Sequence, residues 1–166
     1  MLHALRVTSV LALLSLIPFP LFAQGASVAF GGLKQDTSLP VEVSADNLAV
    51  NQADGTAVFS GNVLIGQGKM KISAGKVKVE YTNDGSGISK LFASEGVTLI
   101  NATDAAEARE AVYTIDSGNV VMTGDVLLTQ GGNALSGQKL VINLKAGTGV
   151  MEGRVQTVFQ PGKAKN

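Results

Sequence analysis

Residues 41–68 read VEVSADNLAVNQADGTAVFSGNVLIGQG. Apolar side chains recur at nearly every second position, which is the period of a strand with one buried face. The stretch also contains a polar corner, Ser44-Ala45-Asp46, and a glycine, Gly61, that precedes a short apolar run. This pattern predicts an alternating strand, a turn, a second strand, a glycine bend and a third short strand.

The same pattern recurs in three further units, at residues 71–100, 106–131 and 134–160. The corner begins at positions 44, 73, 107 and 136, and the valine after the bend stands at 63, 97, 126 and 155. Successive positions therefore differ by 29 or 34 residues. The extra residues of the second unit fall in a turn, at residues 83–87, where a strand repeat tolerates an insertion.

Side chains alternate between the two faces of a strand, so their parity predicts one apolar face in every unit. The opposite face is mostly polar. Stacked units would bury the apolar face as a continuous interior. The predicted interior residues are Leu48, Val50, Phe59, Val63, Ile65, Val77, Val79, Phe92, Val97, Leu99, Tyr113, Ile115, Met122, Val126, Leu128, Leu140, Ile142, Met151 and Val155.

The repeat predicts an all-β protein, either a β-solenoid-like stack or a rolled antiparallel double sheet, the jelly roll. Residues 104–111 have a helix-forming composition but would make only about two turns, so the repeat predicts a connection between strands there. The first strand, near residues 41–45, and the last, near 154–159, would leave exposed edges. Such edges favour end-to-end assembly with another chain.

The N-terminus has the order of a cleaved secretory signal, with a basic residue, a short apolar run and a small residue before the cleavage point. A membrane anchor is the alternative, but Pro18 and Pro20 interrupt the run. We therefore predict a signal at residues 1–23, a flexible leader at 24–37, one domain at 38–160 and a tail at 161–166.

Composition excludes several kinds of chemistry. The only histidine, His3, lies in the predicted signal, and the chain has no cysteine or tryptophan. The mature chain therefore lacks a Ser-His-Asp or Cys-His nucleophile system and zinc sites built from cysteine and histidine. Without Arg6, the 13 basic residues fall to 12 against 13 acidic ones, which gives no electrostatic case for nucleic acid. No metal or other cofactor is predicted.

The remaining charged residues fit turns and strand faces better than a catalytic site. The aspartates mostly stand where the repeat predicts corners or turns, which this residue favours. A carboxylate-pair glycosidase would also need aromatic cleft residues, and aromatics are few. The densest basic cluster fits a solvated strand face, with phosphate contact at a groove rim as the alternative. These residues are Asp46, Asp54, Asp84, Asp116 and Asp125, and Lys69, Lys71, Lys76 and Lys78.

The order of three motifs resembles the OstA-like, LptA-type family of periplasmic lipopolysaccharide-transport proteins. They are SAD followed by an alternating strand, GTAVFSGNV, and ISAGKVKV. The resemblance extends over roughly residues 38–160. The sequence departs from the family at Gly75, where the family usually has an acidic residue after SA.

This resemblance implies an open, twisted β-jelly roll that binds the acyl region of lipopolysaccharide in its apolar interior. It also implies head-to-tail self-association and docking to related β-jelly-roll domains of inner- and outer-membrane transport proteins. The expected function is a non-enzymatic periplasmic bridge of a Gram-negative bacterium that carries lipopolysaccharide between the membranes. The alternative is a structural β-solenoid that polymerises or binds surface polysaccharide around a dry core.

Overall fold

A computed structural model describes residues 26–29 and 34–160, and for residues 26–29 it describes the backbone pairing alone. The predicted signal at 1–23 and the predicted tail at 161–166 lie outside the described residues. These described residues form thirteen strands. They are β1 (Ala26–Ala29), β2 (Glu42–Ser44), β3 (Asn47–Asn51), β4 (Thr56–Gln67), β5 (Met70–Tyr81), β6 (Ile88–Ser94), β7 (Val97–Asn101), β8 (Asp104–Ala108), β9 (Glu110–Thr114), β10 (Asn119–Gln130), β11 (Asn133–Asn143), β12 (Thr148–Glu152) and β13 (Gln156–Val158).

All thirteen strands belong to one sheet, and the sheet folds over into two layers. The long strand β4 shows how, because residues 56–60 pair with β3 and residues 64–66 pair with β2. Strands β5, β10 and β11 divide between the layers in the same way. Layer 1 runs β3-β4-β5-β6-β9-β10-β11-β12-β1, and layer 2 runs β2-β4-β5-β7-β8-β10-β11-β13.

Neighbouring strands are antiparallel throughout. Coils of a β-helical solenoid would instead pair in parallel, so the structure selects the β-jelly roll of the two predicted architectures. The all-β prediction is confirmed. Among the described residues, no helix is long and apolar enough to cross a membrane.

The chain bends from one layer to the other at pairs of residues with positive φ. One member of each pair is glycine, which adopts this backbone conformation without a steric penalty. The pairs recur at the spacing that the sequence repeat predicts. They are Gly61-Asn62, Glu95-Gly96, Gly124-Asp125 and Gly153-Arg154.

A corner segment crosses beside each bend and holds it by backbone hydrogen bonds. At the first bend the amide of Asp46 donates to the carbonyl of Gly61 at 2.9 Å, and at the last the amide of Gln138 donates to Gly153 at 3.1 Å. The bends therefore line up along one edge of the molecule, which we call the bend edge. The hairpin turns lie at the other ends of the strands.

Two stretches differ from the sequence-based expectation. Residues 24–37, predicted as a flexible leader, contain β1, which pairs with β12 at the end of layer 1. Residues 104–111, predicted to connect strands, form β8 and the start of β9. Pairing with β7, β6 and β10 overrides the local helix-forming composition there, since alanine fits the crowded interior of either layer.

Candidate functional site

The inward faces of the two layers form one apolar interior. In each layer, residues paired across neighbouring strands make a continuous row of inward side chains. The central row of layer 1 is Phe59, Val77, Ala93, Ala111, Met122, Leu140 and Met151. The central row of layer 2 is Ile65, Ile72, Leu99, Ala106, Leu128 and Leu135.

Most of the predicted interior residues lie in this core. Thirteen of the nineteen are no more than 2% exposed, and three more are partly buried against them. The buried ones are Val63, Ile65, Val77, Val79, Val97, Leu99, Tyr113, Met122, Val126, Leu128, Leu140, Ile142 and Met151, and the partly buried ones are Phe59, Ile115 and Val155. The structure therefore brings sixteen predicted residues together as one wall.

Leu48 and Val50 share the predicted face but are not buried. Their exposed fractions are 56% and 64%. Both lie on β3, which within the described part of the chain pairs only with β4, at the end of layer 1. The opposing layer ends there in β2, a strand of three residues, so it is too short to cover them.

Phe92 was predicted to face the interior and lies on the outer face instead. It stands five residues before Val97, whereas Phe59 stands four before Val63, so its side chain has the opposite parity. Ala93 takes the inward position and pairs with Val77. The ring of Phe92 lies under the ammonium group of Lys78, 5.2 Å from the ring centroid, a cation–π geometry typical of a protein surface.

Several core residues on the same inward faces were not among the predicted ones. They are Ala57, Met70, Ile72, Ala74, Leu91, Ala93, Ala106, Val120, Leu135 and Leu144. These residues include four alanines, which carry little hydrophobic signal, and residues next to hairpin turns. Alternation continued backwards from Val97 would have found Leu91, and one step beyond Met122 and Ile142 it would have found Val120 and Leu144.

Residues 34–40 lie across the edge opposite the bends, and we call this segment the strap. The amide of Gln35 donates to the carbonyl of Leu144 at 2.9 Å, which fixes the strap to the turn after β11. The side chain of Gln35 donates from Nε2 to the carbonyl of Gln67 at 2.7 Å, which fixes it to the end of β4 in layer 2. The strap therefore joins the two layers at their open side.

Gln67 is the centre of this closure and is only 1% exposed. Its Nε2 donates to the strap carbonyls of Thr37 at 3.1 Å and Leu39 at 2.9 Å. Its Oε1 accepts a hydrogen bond of 2.6 Å from the hydroxyl of Tyr113, which reaches across from layer 1. Burial raises the pKa of Tyr113 to about 12.

A polar row lines the same edge of layer 2, directly beside the apolar interior. Its members flank the two-residue hairpin turns, and the three most buried are between 1% and 5% exposed. The amide Nδ2 of Asn101 is buried without a hydrogen-bond partner, whereas Gln130 donates to the Asp104 carboxylate at 2.9 Å. The polar row comprises Gln67, Asn101, Asp104, Gln130 and Asn133.

Four of the five candidate aspartates bond to neighbours at turns and bends. The carboxylate of Asp54 bonds to Thr56, and that of Asp84 bonds to Thr82 and Ser86. The bonds from Thr82 and Ser86 lower the pKa of Asp84 to about 2. The other placements are Asp46 beside Asn62 and Asp125 beside Arg109, while Asp116 offers only its backbone carbonyl, to Lys145.

The basic cluster lies on outward faces, where two of its members pair with acids. Lys78 pairs with Glu80 at 2.8 Å and Lys76 with Glu95 at 4.0 Å, and all four side chains are substantially exposed. Exposed pairs contribute little to stability. Within residues 34–160, no group of three or more His, Cys, Asp or Glu side chains is arranged to hold a metal ion. The apolar interior and the placement of the charged residues are suited to binding apolar groups rather than to proton transfer.

The fold and this interior define a β-jelly-roll protein with an apolar core and unpaired edge strands at its ends. The chain matches the model of a family described as LptA/(LptD N-terminal domain) LPS transport protein, over residues 42–148. This match covers more than half of the chain, and the chain therefore belongs to that family.

Individual relatives agree with this assignment. The chain is 26% identical over 162 residues to an uncharacterized protein of Rhizobium meliloti, covering 91% of this chain and 87% of that protein. It is 26% identical to the lipopolysaccharide export system protein LptH of Pseudomonas aeruginosa, covering 85% and 90%, and 25% identical to LptA of Escherichia coli K12, covering 83% and 75%.

A solved structure shows the same fold. The crystal structure of LptH from Pseudomonas aeruginosa, described as the LptA homologous periplasmic component of the lipopolysaccharide transport device, superposes with a TM-score of 0.68. The sequences are 20% identical, and the match covers 76% of this chain and 99% of that one.

Proposed function

We propose that the protein is a periplasmic bridge that binds lipopolysaccharide and carries it from the inner to the outer membrane, without catalysing a reaction. The observation that carries this proposal is the apolar interior, which runs from one end of the sheet to the other. Its central row in layer 1 crosses seven strands, a length of roughly 30 Å at the usual strand spacing.

The interior would hold the acyl chains of lipid A. Its walls are built mainly from Val, Leu, Ile, Met and Ala, whose side chains offer no polar group to interrupt contact with a hydrocarbon chain. In the closed structure these residues pack against one another. Lipid would therefore take the place of contacts between the two layers, so the layers would have to separate as it enters.

The ends of the molecule would join it to other domains. In the described chain, β2 and β3 each pair only with β4 at one end, whereas β13 pairs only with β11 near the other. Exposed apolar side chains stand beside both ends, including Leu48 at the first, and Val158 and Phe159, which are 66% and 73% exposed, at the second. An unpaired strand with apolar neighbours is suited to strand addition by a second copy or a related jelly-roll domain.

Site-specific photocrosslinking in cells tests the lipid claim. A crosslinker at Phe59, Val97 or Met122 faces the interior, whereas a crosslinker at the adjacent residues Val58, Thr98 or Thr123 faces outward on the same strand. We expect lipopolysaccharide adducts from the inward set only. Equal adduct yields from the two sets would contradict binding in the interior.

The second candidate is a structural β-protein that polymerises or binds surface polysaccharide around a dry core. The close packing of Val77, Met122 and Leu140, all 0% exposed, favours it. Assembly that depends on protein concentration alone, without lipid binding, would support this candidate. Depletion of the protein distinguishes the two in cells, because only the bridge predicts that newly made lipopolysaccharide accumulates at the inner membrane.

A further inference from the structure

We infer that the edge opposite the bends is the entry for acyl chains, and that the strap closes this entry with Gln67 as its latch. The inference rests on the proposed function and deepens it. It assigns a specific path to the lipid and a specific segment of the chain, residues 34–40, to the control of that path.

The two edges of the molecule are joined differently. At the bend edge the polypeptide itself passes between the layers again and again, as at Gly61-Asn62 and Gly124-Asp125. At the opposite edge, among the described residues, the strap is the one backbone segment that crosses from one layer to the other, and the hydrogen bond from Tyr113 to Gln67 joins the layers beside it. The layers can therefore separate at the strap edge while the bend edge stays intact as a hinge.

The contacts that hold the strap are polar. Four hydrogen bonds link it to the body, two from Gln35 and two from the Nε2 group of Gln67. Its apolar residues Leu39 and Pro40 are exposed, with Leu39 at 40%. A segment with few buried apolar contacts opens locally far more readily than core strands do.

The polar row beside the strap also favours opening at this edge. The closed structure buries the Nδ2 group of Asn101 without a partner, which is unfavourable because the amide has lost its water. Separation of the layers would return Asn101 and Asp104 to water, or bring them against the polar part of an entering amphiphile. An edge lined only by apolar side chains would gain no such hydration of polar groups when the layers separate.

The variant Gln67→Glu tests the latch with little change of shape. It retains an oxygen that accepts from Tyr113, but it replaces the donor Nε2 with an oxygen that faces the carbonyls of Thr37 and Leu39. Tyr113→Phe weakens the same closure by removing one hydroxyl. Matched controls are Gln156→Glu, which adds the same charge at an exposed residue of β13, and Tyr81→Phe at the other tyrosine, which is 42% exposed.

Two measurements are made on the mature protein. Hydrogen–deuterium exchange at the Gln35 amide reports strap opening without any ligand, and stopped-flow association with detergent-dispersed rough lipopolysaccharide reports entry. For Gln67→Glu we expect both rates to rise at least tenfold, because the two hydrogen bonds from Nε2 to the strap carbonyls are lost together. Exchange at β10 and β11 amides should stay unchanged, as should both rates in the controls.

Each contrary result has a definite meaning. If the Gln35 amide of the wild type exchanges only together with β10 and β11, the strap does not open on its own and the inference is wrong. Faster exchange in Gln67→Glu with an unchanged association rate would show that lipid enters elsewhere, which overturns the inference while lipid binding stands. If wild type and variants alike bind no lipopolysaccharide although the strap opens, the proposed function itself fails, and the entry role with it.

Discussion

The carboxylate of Asp46 accepts a 2.8 Å hydrogen bond from the side-chain amide of Asn62, across the first bend of the sheet. The same carboxylate lies over the α-carbon of Gly61, where an added Cβ would stand 2.6 Å from Oδ2. A corner residue thus covers a glycine and bonds to its neighbour, and this contact depends on the absence of a side chain at Gly61.

Replacement of Gly61 by alanine should destabilise the protein by about 2 kcal/mol or more, because it combines a clash with Asp46 and a φ of 79° that alanine avoids. Gly66→Ala is the matched control in the same strand, since its Cβ would meet no atom within 4 Å. Urea unfolding measures both. A small loss of unfolding free energy for Gly61→Ala, equal to that of the control, would mean that Asp46 moves aside at no cost.

The hairpin between β7 and β8 contains an alanine where two equivalent hairpins have glycine. Ala102 has a φ of 52°, and the corresponding Gly68 and Gly131 both have a φ of 56°. Ala102→Gly should therefore stabilise the protein by about 0.5–1 kcal/mol, as relief of left-handed strain outweighs the added freedom of the unfolded chain. Ala53→Gly, at a turn residue whose own φ is not positive, should give no such gain, and a loss of stability at position 102 would contradict the assigned turn geometry.

Buried and exposed positions on the inward face of layer 1 should respond differently to truncation. Leu140 is 0% exposed and Leu48 is 56% exposed, although both face the interior side of layer 1. Leu140→Ala should cost about 2–5 kcal/mol of unfolding free energy, whereas Leu48→Ala should change it by no more than about 0.5 kcal/mol. Thermal or urea unfolding checks the pair, and similar losses would show that the end of the layer is covered in solution.

A charge at Leu48 should impair assembly rather than folding. Leu48→Glu places a carboxylate among the exposed apolar side chains beside the edge strand β3, and we expect weaker self-association at unchanged stability. Asn47→Glu adds the same charge on the outward face of that strand and serves as the control. Sedimentation velocity over a range of protein concentrations measures the effect. An unchanged association constant would remove this end from the proposed junction.

Tyr113 should make stability depend on alkaline pH. Its folded-state pKa of about 12 lies above the ordinary value of 10.0, so the unfolded chain loses the proton first as the pH rises. The stabilisation is complete below about pH 10 and should decline between about pH 10 and pH 12. Unfolding of wild type and Tyr113→Phe across this window checks it, and parallel pH profiles for the two proteins would contradict the raised pKa.

Strand periodicity predicts the middle of this fold better than its ends and its closure. The recurrence of Val63, Val97, Val126 and Val155 was enough to place the bends. Each bend contains a glycine with positive φ, and these glycines recur at nearly the same spacing as the valines. Phe92 was misplaced since its large ring matched Phe59 in type but not in spacing. Leu48 and Val50 lie on the inward face, as their parity predicts. Their exposure depends on the length of the opposing layer, which the alternation along their own strand does not show.

The closure at the strap edge had no sequence signal of the kind that periodicity detects. Gln67 and Tyr113 are 46 residues apart, and the strap begins inside the stretch that was predicted as a flexible leader. Strand β1 likewise exists because the edge of β12 is free to receive it, not because of its own composition. Such long-range polar contacts become visible only once the layers are assembled.

The alignment of every bend along one edge makes the protein extensible. A unit of 29 residues adds two strands to each layer, about 10 Å of length, without altering the cross-section or the strands at either end. Duplication of one central unit would thus yield a longer molecule with the same terminal contacts. The length of a single chain therefore depends on the number of units, whereas its contacts with partners depend on the strands at its ends. Evolution or design can change the length and the choice of partner independently.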